Sequence, residues 1–395
     1  MFWLKKRIYA DAAAATPLSG AARKELTRLL GLYGNAGALH KEGVEAKKEL
    51  ERARASVAAS VGAHADEIVF TASGTEANNL ALHGLLRPML LQDGEVHAIT
   101  CAIEHQSVLE PLRALEREGL YVTTLEVDKE GLVDAEALRG ALNEETALVS
   151  VQLVNSEVGT IEPVRELAKV LRKNNKKIYF HTDASQAPLW VDINVEKLGV
   201  DLMTLDAQKV LGPKGIGALY VRRGTPVEPI LWGGKQEQAL RGGTENVPQA
   251  GAFAVALADA QKGTEDRAKH MTAVRDYLWS EIKKLIPDAI LNGPSMHTNQ
   301  DRPGFRVANN VNVSIPGLEA EMAVVSLDAL GVAASTRSAC TIGSAEPSHV
   351  IKALGIPQEM AGTAIRLTLL LGATRSQMHR IASALKETAS RYRQK

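Results

Sequence analysis

An aspartate and a lysine stand out for their spacing. Asp183 ends the run KIYFHTD (177 to 183) and Lys209 follows the run DLMTLD (201 to 206), so that 209 − 183 = 26 residues separate them. That interval fits one strand, helix, strand step and sets both side chains at neighbouring strand ends, where open parallel sheets bind their ligands. Upstream, TASGTEANN (71 to 79) leads from another strand into the start of a helix. The free backbone N–H groups and positive dipole end there suit a phosphate. An acid, an amine and a phosphate cradle are together what pyridoxal 5'-phosphate requires. The lysine forms a Schiff base with the aldehyde, and the carboxylate keeps the ring nitrogen protonated so that the ring accepts electrons. Taken singly, Lys209 reads as a surface lysine and Asp183 as a strand-end turn residue; the combination carries the reading.

Further residues fall at similar places. His105, in CAIEHQSVL (101 to 109), follows a strand end, where an imidazole can stack on a flat cofactor and relay protons; a satisfied structural histidine is the alternative. Asn155 and Gln186 sit just past strands, with amides able to reach a phenolic oxygen on such a ring. Cys340 lies in ASTRSACTIGSAEPSHVI (334 to 351), a run of small polar residues without a period. An exposed loop is expected there, and beside Arg337 the Cys340 thiol is expected to be reactive. Cys101 ends an apolar strand and reads as packing. Arg366 opens a short strand, where its planar fork would suit a substrate carboxylate; a surface ion pair is equally open.

The elements that must position these residues alternate along the chain. Seven β-rich runs are expected, EIVFT (67 to 71), VHAITC (96 to 101), YVTTLEV (121 to 127), ALVSVQLV (147 to 154), KIYFHTD, DLMTLD and GALYVRR (217 to 223), with helical stretches between. This is the pattern of crossover units and a largely parallel sheet. Ala46, Leu50, Ala53, Val57 and Val61 recur at helical spacing. After about residue 260, helical stretches near 264 to 285 and 376 to 393 flank the strand candidates NNVNVSI (309 to 315) and AIRLTL (364 to 369), which reads as a smaller α+β domain. The polar, glycine-rich stretch 232 to 248 is expected to be a long functional loop.

Composition narrows the function. The 395 residues carry 46 basic and 46 acidic side chains, so no broad cationic field exists to attract nucleic acid. Two cysteines make neither a disulfide framework nor a thiolate metal site, which points to a reducing compartment. The first residues lack the ordered regions of a secretion signal, and no apolar run reaches the roughly 18 residues of a membrane helix. A soluble, cytoplasmic protein is expected.

Together these segments resemble NifS/IscS-type cysteine desulfurases of the class V aminotransferase group. The likeness runs from DAAAATP (11 to 17) and YGNAGALH (33 to 40) through FTASGTEANNLAL (70 to 82), EHQSVL (104 to 109), VNSEVG (154 to 159) and TDASQA (182 to 187). It continues through KVLGPKGIGALYVRRG (209 to 224) and RGGTENVPQ (241 to 249) to SACTIGSAEPSHVIKALG (338 to 355). The resemblance implies a pyridoxal-phosphate transferase of fold type I. Its large α/β domain (18 to 262) would have a mostly parallel seven-stranded sheet, its smaller α+β domain (263 to 395) would carry the Cys340 loop, and an N-terminal segment (1 to 17) would pack with the latter. It further implies Lys209 as the Schiff-base lysine, Asp183 as partner of the ring nitrogen, His105 as the stacking histidine and Gln186 as ligand of the phenolic oxygen. Gly74 and Thr75 would cradle the phosphate, and Thr244 would reach the phosphate of a second subunit in a homodimer. Asn155 and Arg366 would bind the substrate carboxylate. Cys340 would take sulfur from L-cysteine as a persulfide and pass it to an iron–sulfur scaffold or sulfur-carrier protein. The chain departs from the group at Asp206, where a serine donor to the phosphate is usual, at Gln208, where a histidine is usual, and at Ala12, where an aromatic is usual. A selenocysteine lyase and a non-catalytic homologue that binds sulfur-transfer partners are the alternative readings.

Overall fold

The structure is a computed structural model and describes residues 7–174, 176–296, 305–336 and 347–393. The strands, in chain order, begin with β1 (Ile8–Tyr9). Then come β2 (Ile68–Thr71), β3 (His97–Cys101), β4 (Tyr121–Leu125), β5 (Thr146–Ser150), β6 (Tyr179–Asp183), β7 (Leu202–Asp206) and β8 (Gly217–Val221). These seven form one sheet in the order β2-β8-β7-β6-β5-β3-β4. Only β8 runs against the others. The reason is the short connection from Asp206 to Gly217, since a parallel return needs a crossover of a dozen or more residues. The strands β3, β7 and β8 are buried along their whole length, as a sheet covered on both faces requires. At the edge, β4 is more polar and largely exposed.

Each expected strand is present within a few residues. The run 147 to 154 is the exception in length: β5 stops at Ser150, because residues 153 to 155 turn back onto 160 to 162. Asn155 N donates to Thr160 O at 2.8 Å and Glu162 N to Leu153 O at 3.0 Å. The helix Lys41–Val61 buries Ala46, Leu50, Ala53, Val57 and Val61 as the spacing predicts, and ends on Gly62 in the left-handed region. It packs on the helix Val247–Gln261.

The later chain forms β9 (Ile290–Leu291), β10 (Asn310–Ser314), β11 (Val332–Ala333) and β12 (Ala364–Thr368). Strands β12-β10-β9 make an antiparallel sheet, covered by the paired helices Thr264–Leu285 and Arg375–Tyr392. The N-terminal residues join this part of the molecule: β1 pairs in parallel with β11, and Asp11 bridges to Thr368. In the stretch 232 to 248 the structure has a tight turn at Glu237–Ala239, whose three residues all have positive φ (44°, 60° and 66°). Non-glycine residues hold that conformation only under constraint. Here the constraint is Glu237, buried against Arg54, with two bonds of 2.6 and 2.7 Å, and accepting from Phe70 N at 2.7 Å.

Near β5, Glu162 is buried with one oxygen accepting from Val133 N at 3.0 Å and the other without a partner among the described residues. Burial pushes its pKa up to about 8, against about 4.3 when unfolded. The folded state therefore holds a proton that the unfolded chain releases. The contribution is fully present below the unfolded value and is lost as pH rises through about 8. Glu162→Gln keeps the acceptor for Val133 and removes the titration. Urea midpoints at pH 6 and pH 9 should fall less for this variant than for the wild type; an equal fall would contradict the buried-proton account.

Candidate active site

The carboxyl ends of β6 and β7 meet the start of the helix Gly74–Asp93 around a cavity of about 280 Å³. Its walls include Gly74, Thr75, His105, Asp183, Gln186, Lys209 and Arg366. The geometry begins with two glycines. A Cβ on Gly217 would lie 2.6 Å from the Ser73 carbonyl carbon, so only glycine lets the chain leaving β2 cross the foot of β8 that closely. A Cβ on Gly74 would lie 3.1 Å from Asp206 Cβ and 3.2 Å from Ser185 Oγ, and would fill the cradle. Ser73 caps the helix by accepting from Glu76 N at 3.1 Å.

Asp183 is held on both oxygens. Oδ1 accepts from Ser185 N at 2.9 Å and Oδ2 from Asn78 Nδ2 at 2.8 Å. The same Asn78 nitrogen donates to Ser107 Oγ at 2.8 Å, and Ser107 Oγ pairs with His105 Nδ1 at 2.8 Å. One chain of hydrogen bonds thus orients the carboxylate and the imidazole across the cavity. Neither Asn78 nor Ser107 is singled out by the sequence. The available signal was spacing, since Asn78 lies four residues after Gly74 and shares its helix face.

Lys209 donates from Nζ to the carbonyls of Ala13 at 2.8 Å and Ala14 at 2.6 Å, and Gln186 Nε2 donates to Ala13 O at 2.9 Å. The N-terminal segment therefore runs along the mouth of the cavity beside the amine. Arg366 is 1% exposed; Nη2 donates to Asp11 at 2.8 Å and Nη1 to Ser156 O at 3.3 Å, while Nε makes no hydrogen bond among the described residues. The guanidinium thus lies in the cavity wall with its charge only partly compensated by Asp11 and the Ser156 carbonyl. It is neither a surface residue nor a plain surface ion pair.

Two expected residues stand elsewhere. Asn155 is not in the cavity wall. Its Nδ2 donates to Ile103 O at 2.9 Å and its Oδ1 accepts from Glu157 N and Val158 N, so the amide shapes the wall through its neighbours Val154 and Ser156. Thr244 is exposed, outside the cavity of its own chain. Cys340 lies outside the described residues. Cys101 is buried, and burial, then nearby Glu104, pushes its thiol well above the ordinary value, which makes it inert.

The residues fit pyridoxal phosphate. Amine, carboxylate and imidazole share one cavity, a helix start with a Cβ-free residue offers the phosphate end, and a buried guanidinium faces the same space. Comparison with known proteins agrees. The aminotransferase class-V family model matches residues 8–381. The chain belongs to this family. Within it the chain stands with the NifS- and IscS-type cysteine desulfurases, which use pyridoxal phosphate. It is 40% identical to cysteine desulfurase IscS of Dictyoglomus turgidum, over 99% of this chain and 96% of the relative. A solved NifS-like protein superposes with a TM-score of 0.88 at 32% identity, covering 97% of this chain and 99% of the other. SspA, solved in complex with cysteine, gives 0.76 at 32% identity over 92% and 98%. Among the described residues no helix is long and apolar enough to cross a membrane.

Asn78→Leu removes the amide that joins Asp183 to Ser107 at similar volume. Cofactor affinity, followed by visible absorbance on titration, should drop at least tenfold with the far-ultraviolet dichroism unchanged. Wild-type affinity would mean that Asp183 needs no such support.

Proposed function

We propose that this protein removes sulfur from L-cysteine, releasing L-alanine and leaving the sulfur as a persulfide on Cys340. The observation that carries the reading is the meeting, in one cavity, of Lys209, Asp183 and His105 with the buried guanidinium of Arg366. Pyridoxal phosphate, when bound, supplies the electron sink for the bonds broken in the substrate. Gly74 and Thr75 would hold its phosphate, Asp183 would pair with its ring nitrogen and His105 would stack on it. Arg366 binds the substrate carboxylate, its fork fixed by Asp11. The Lys209 amine moves a proton at the α-carbon, aimed by the Ala13 and Ala14 carbonyls. Gln186, which lines the same cavity, would serve the phenolic oxygen.

Cys340 as thiolate attacks the substrate sulfur. A sulfur–sulfur bond forms as the carbon–sulfur bond breaks, the carbon gains a proton, sulfur is oxidised and carbon reduced. Cysteine and a thiol give alanine and a persulfide. The chain leading to Cys340 starts beside the carboxylate binder, because Ser335 and Arg366 exchange backbone bonds of 3.2 and 2.6 Å. Cys340 follows Thr336 by 340 − 336 = 4 residues, a tether of at most about 14 Å. On its far side Ser348 donates to Glu157 at 2.5 Å, and His349 Nε2 bonds Glu104 O at 2.9 Å, next to His105. We read the active form as a cytoplasmic homodimer in which Thr244 reaches the phosphate of the second copy. An iron–sulfur scaffold or sulfur carrier then receives the sulfur.

Anaerobic incubation with L-cysteine, with alanine, sulfide and bound persulfide measured together, tests this reading. Cys340→Ser should keep the cofactor spectrum and lose persulfide and at least 100-fold of the alanine rate. Alanine release at the wild-type rate without added thiol would refute the role of Cys340. Borohydride should fix the cofactor on Lys209, and a label elsewhere would remove the basis of the assignment. Faster turnover of selenocysteine than of cysteine would favour a lyase. Protein left colourless after incubation with pyridoxal phosphate would favour a non-catalytic partner-binding role.

A further inference from the structure

The phosphate end of the cavity contains a feature that the family reading does not explain. Asp206, the last residue of β7, is 8% exposed and lines the cavity. Its Oδ2 lies 3.3 Å from where a Cβ of Gly74 would be, so the carboxylate stands against the first turn of the helix Gly74–Asp93. The carboxylate does not turn away from the cradle. It is fixed there by one neighbour: Oδ1 accepts from Gln208 N at 3.2 Å and Oδ2 from Gln208 Nε2 at 3.1 Å. Both bonds come from neutral amide groups, which hold the charge without neutralising it. The positive end of the helix favours an anion at this place, and the chain supplies one of its own.

A phosphate bound here meets that anion. An ionised carboxylate only accepts hydrogen bonds, and so do the oxygens of a phosphate dianion, so that pair cannot bond directly and like charges repel strongly in a buried site. By contrast the other acid of this first turn, Glu76, is paired with Arg241 at 2.8 Å and accepts from Ala72 N at 3.0 Å. We propose that Asp206, positioned by Gln208, is a specificity-determining residue that makes this site discriminate only weakly between the phosphorylated and the unphosphorylated forms of its pyridine cofactor. The inference rests on the reading of the cavity as a pyridoxal-phosphate site. Its chemistry is simple: the backbone amides and the helix end attract the phosphate, and the resident carboxylate subtracts from that attraction.

The test uses full-length protein freed of cofactor and two ligands without an aldehyde, pyridoxine 5'-phosphate and pyridoxine, so that no covalent bond to Lys209 enters. Their affinities are measured by calorimetry for the wild type, Asp206→Asn and Asp206→Ser. Asp206→Asn keeps the shape and removes the charge; Asp206→Ser adds a donor. Both variants should bind pyridoxine 5'-phosphate at least tenfold tighter than the wild type and pyridoxine within threefold of it. Inorganic phosphate should compete more strongly in the variants. Unchanged or weaker binding of the phosphorylated ligand by Asp206→Asn would overturn the proposal, and so would equal tightening of both ligands. If none of the three proteins bound either ligand, the cofactor reading of the cavity would fall with it. Binding by the wild type without the differential would sink the inference about Asp206 alone.

Discussion

The close passage of the chain from β2 over the ends of β7 and β8 is the constraint on which the site depends. It brings a helix start, a strand-end carboxylate and the lysine three residues beyond β7 to one cavity. That passage leaves no room for a side chain at Gly217 and little at Gly74. A sheet of parallel strands aims its carboxyl ends at one crevice, but here the antiparallel β8 and the tight crossing decide which helix start faces that crevice.

Around this junction, the polar groups are held through neighbours. Asp183 and His105, from different strand ends, are tied through Asn78 and Ser107, so neither can reorient without moving the other. The Arg366 fork is set by Asp11. The turn ahead of Thr244 owes its left-handed backbone to the buried Arg54–Glu237 pair, whose partners come from distant parts of the sequence. Such networks are costly when half satisfied, which is why their members pack with few free atoms. The exceptions among the described residues are Asn78 Oδ1 and Arg366 Nε, which have no hydrogen-bond partner.

Much of this could be read in the sequence, because the relevant signals are local. Asp183, Lys209 and His105 follow β-rich runs, and strand ends in an alternating pattern point to one place. Gly74 was legible as part of a small-residue turn into a helix. Other features depend on which atom finds which partner, and residue types alone do not decide that. Asn155 has the amide to serve a ring or a carboxylate, and spends it on three backbone groups. The orientation of Asp206 follows from the backbone N–H and the side-chain amide of Gln208. The run 147 to 154 looks like one strand because its second half is as apolar as its first, but it turns to bond with residues 160 to 162.

The path of the amino-terminal segment has a practical side. Over a few residues it pairs with β11, which leads towards Cys340, meets Arg366 through Asp11, and offers Ala13 and Ala14 to the reactive amine. A fused purification handle, or proteolytic trimming at that end, would act on a segment that touches β11, Arg366 and Lys209 together. Activities are therefore best compared between preparations that share the same amino-terminal residues.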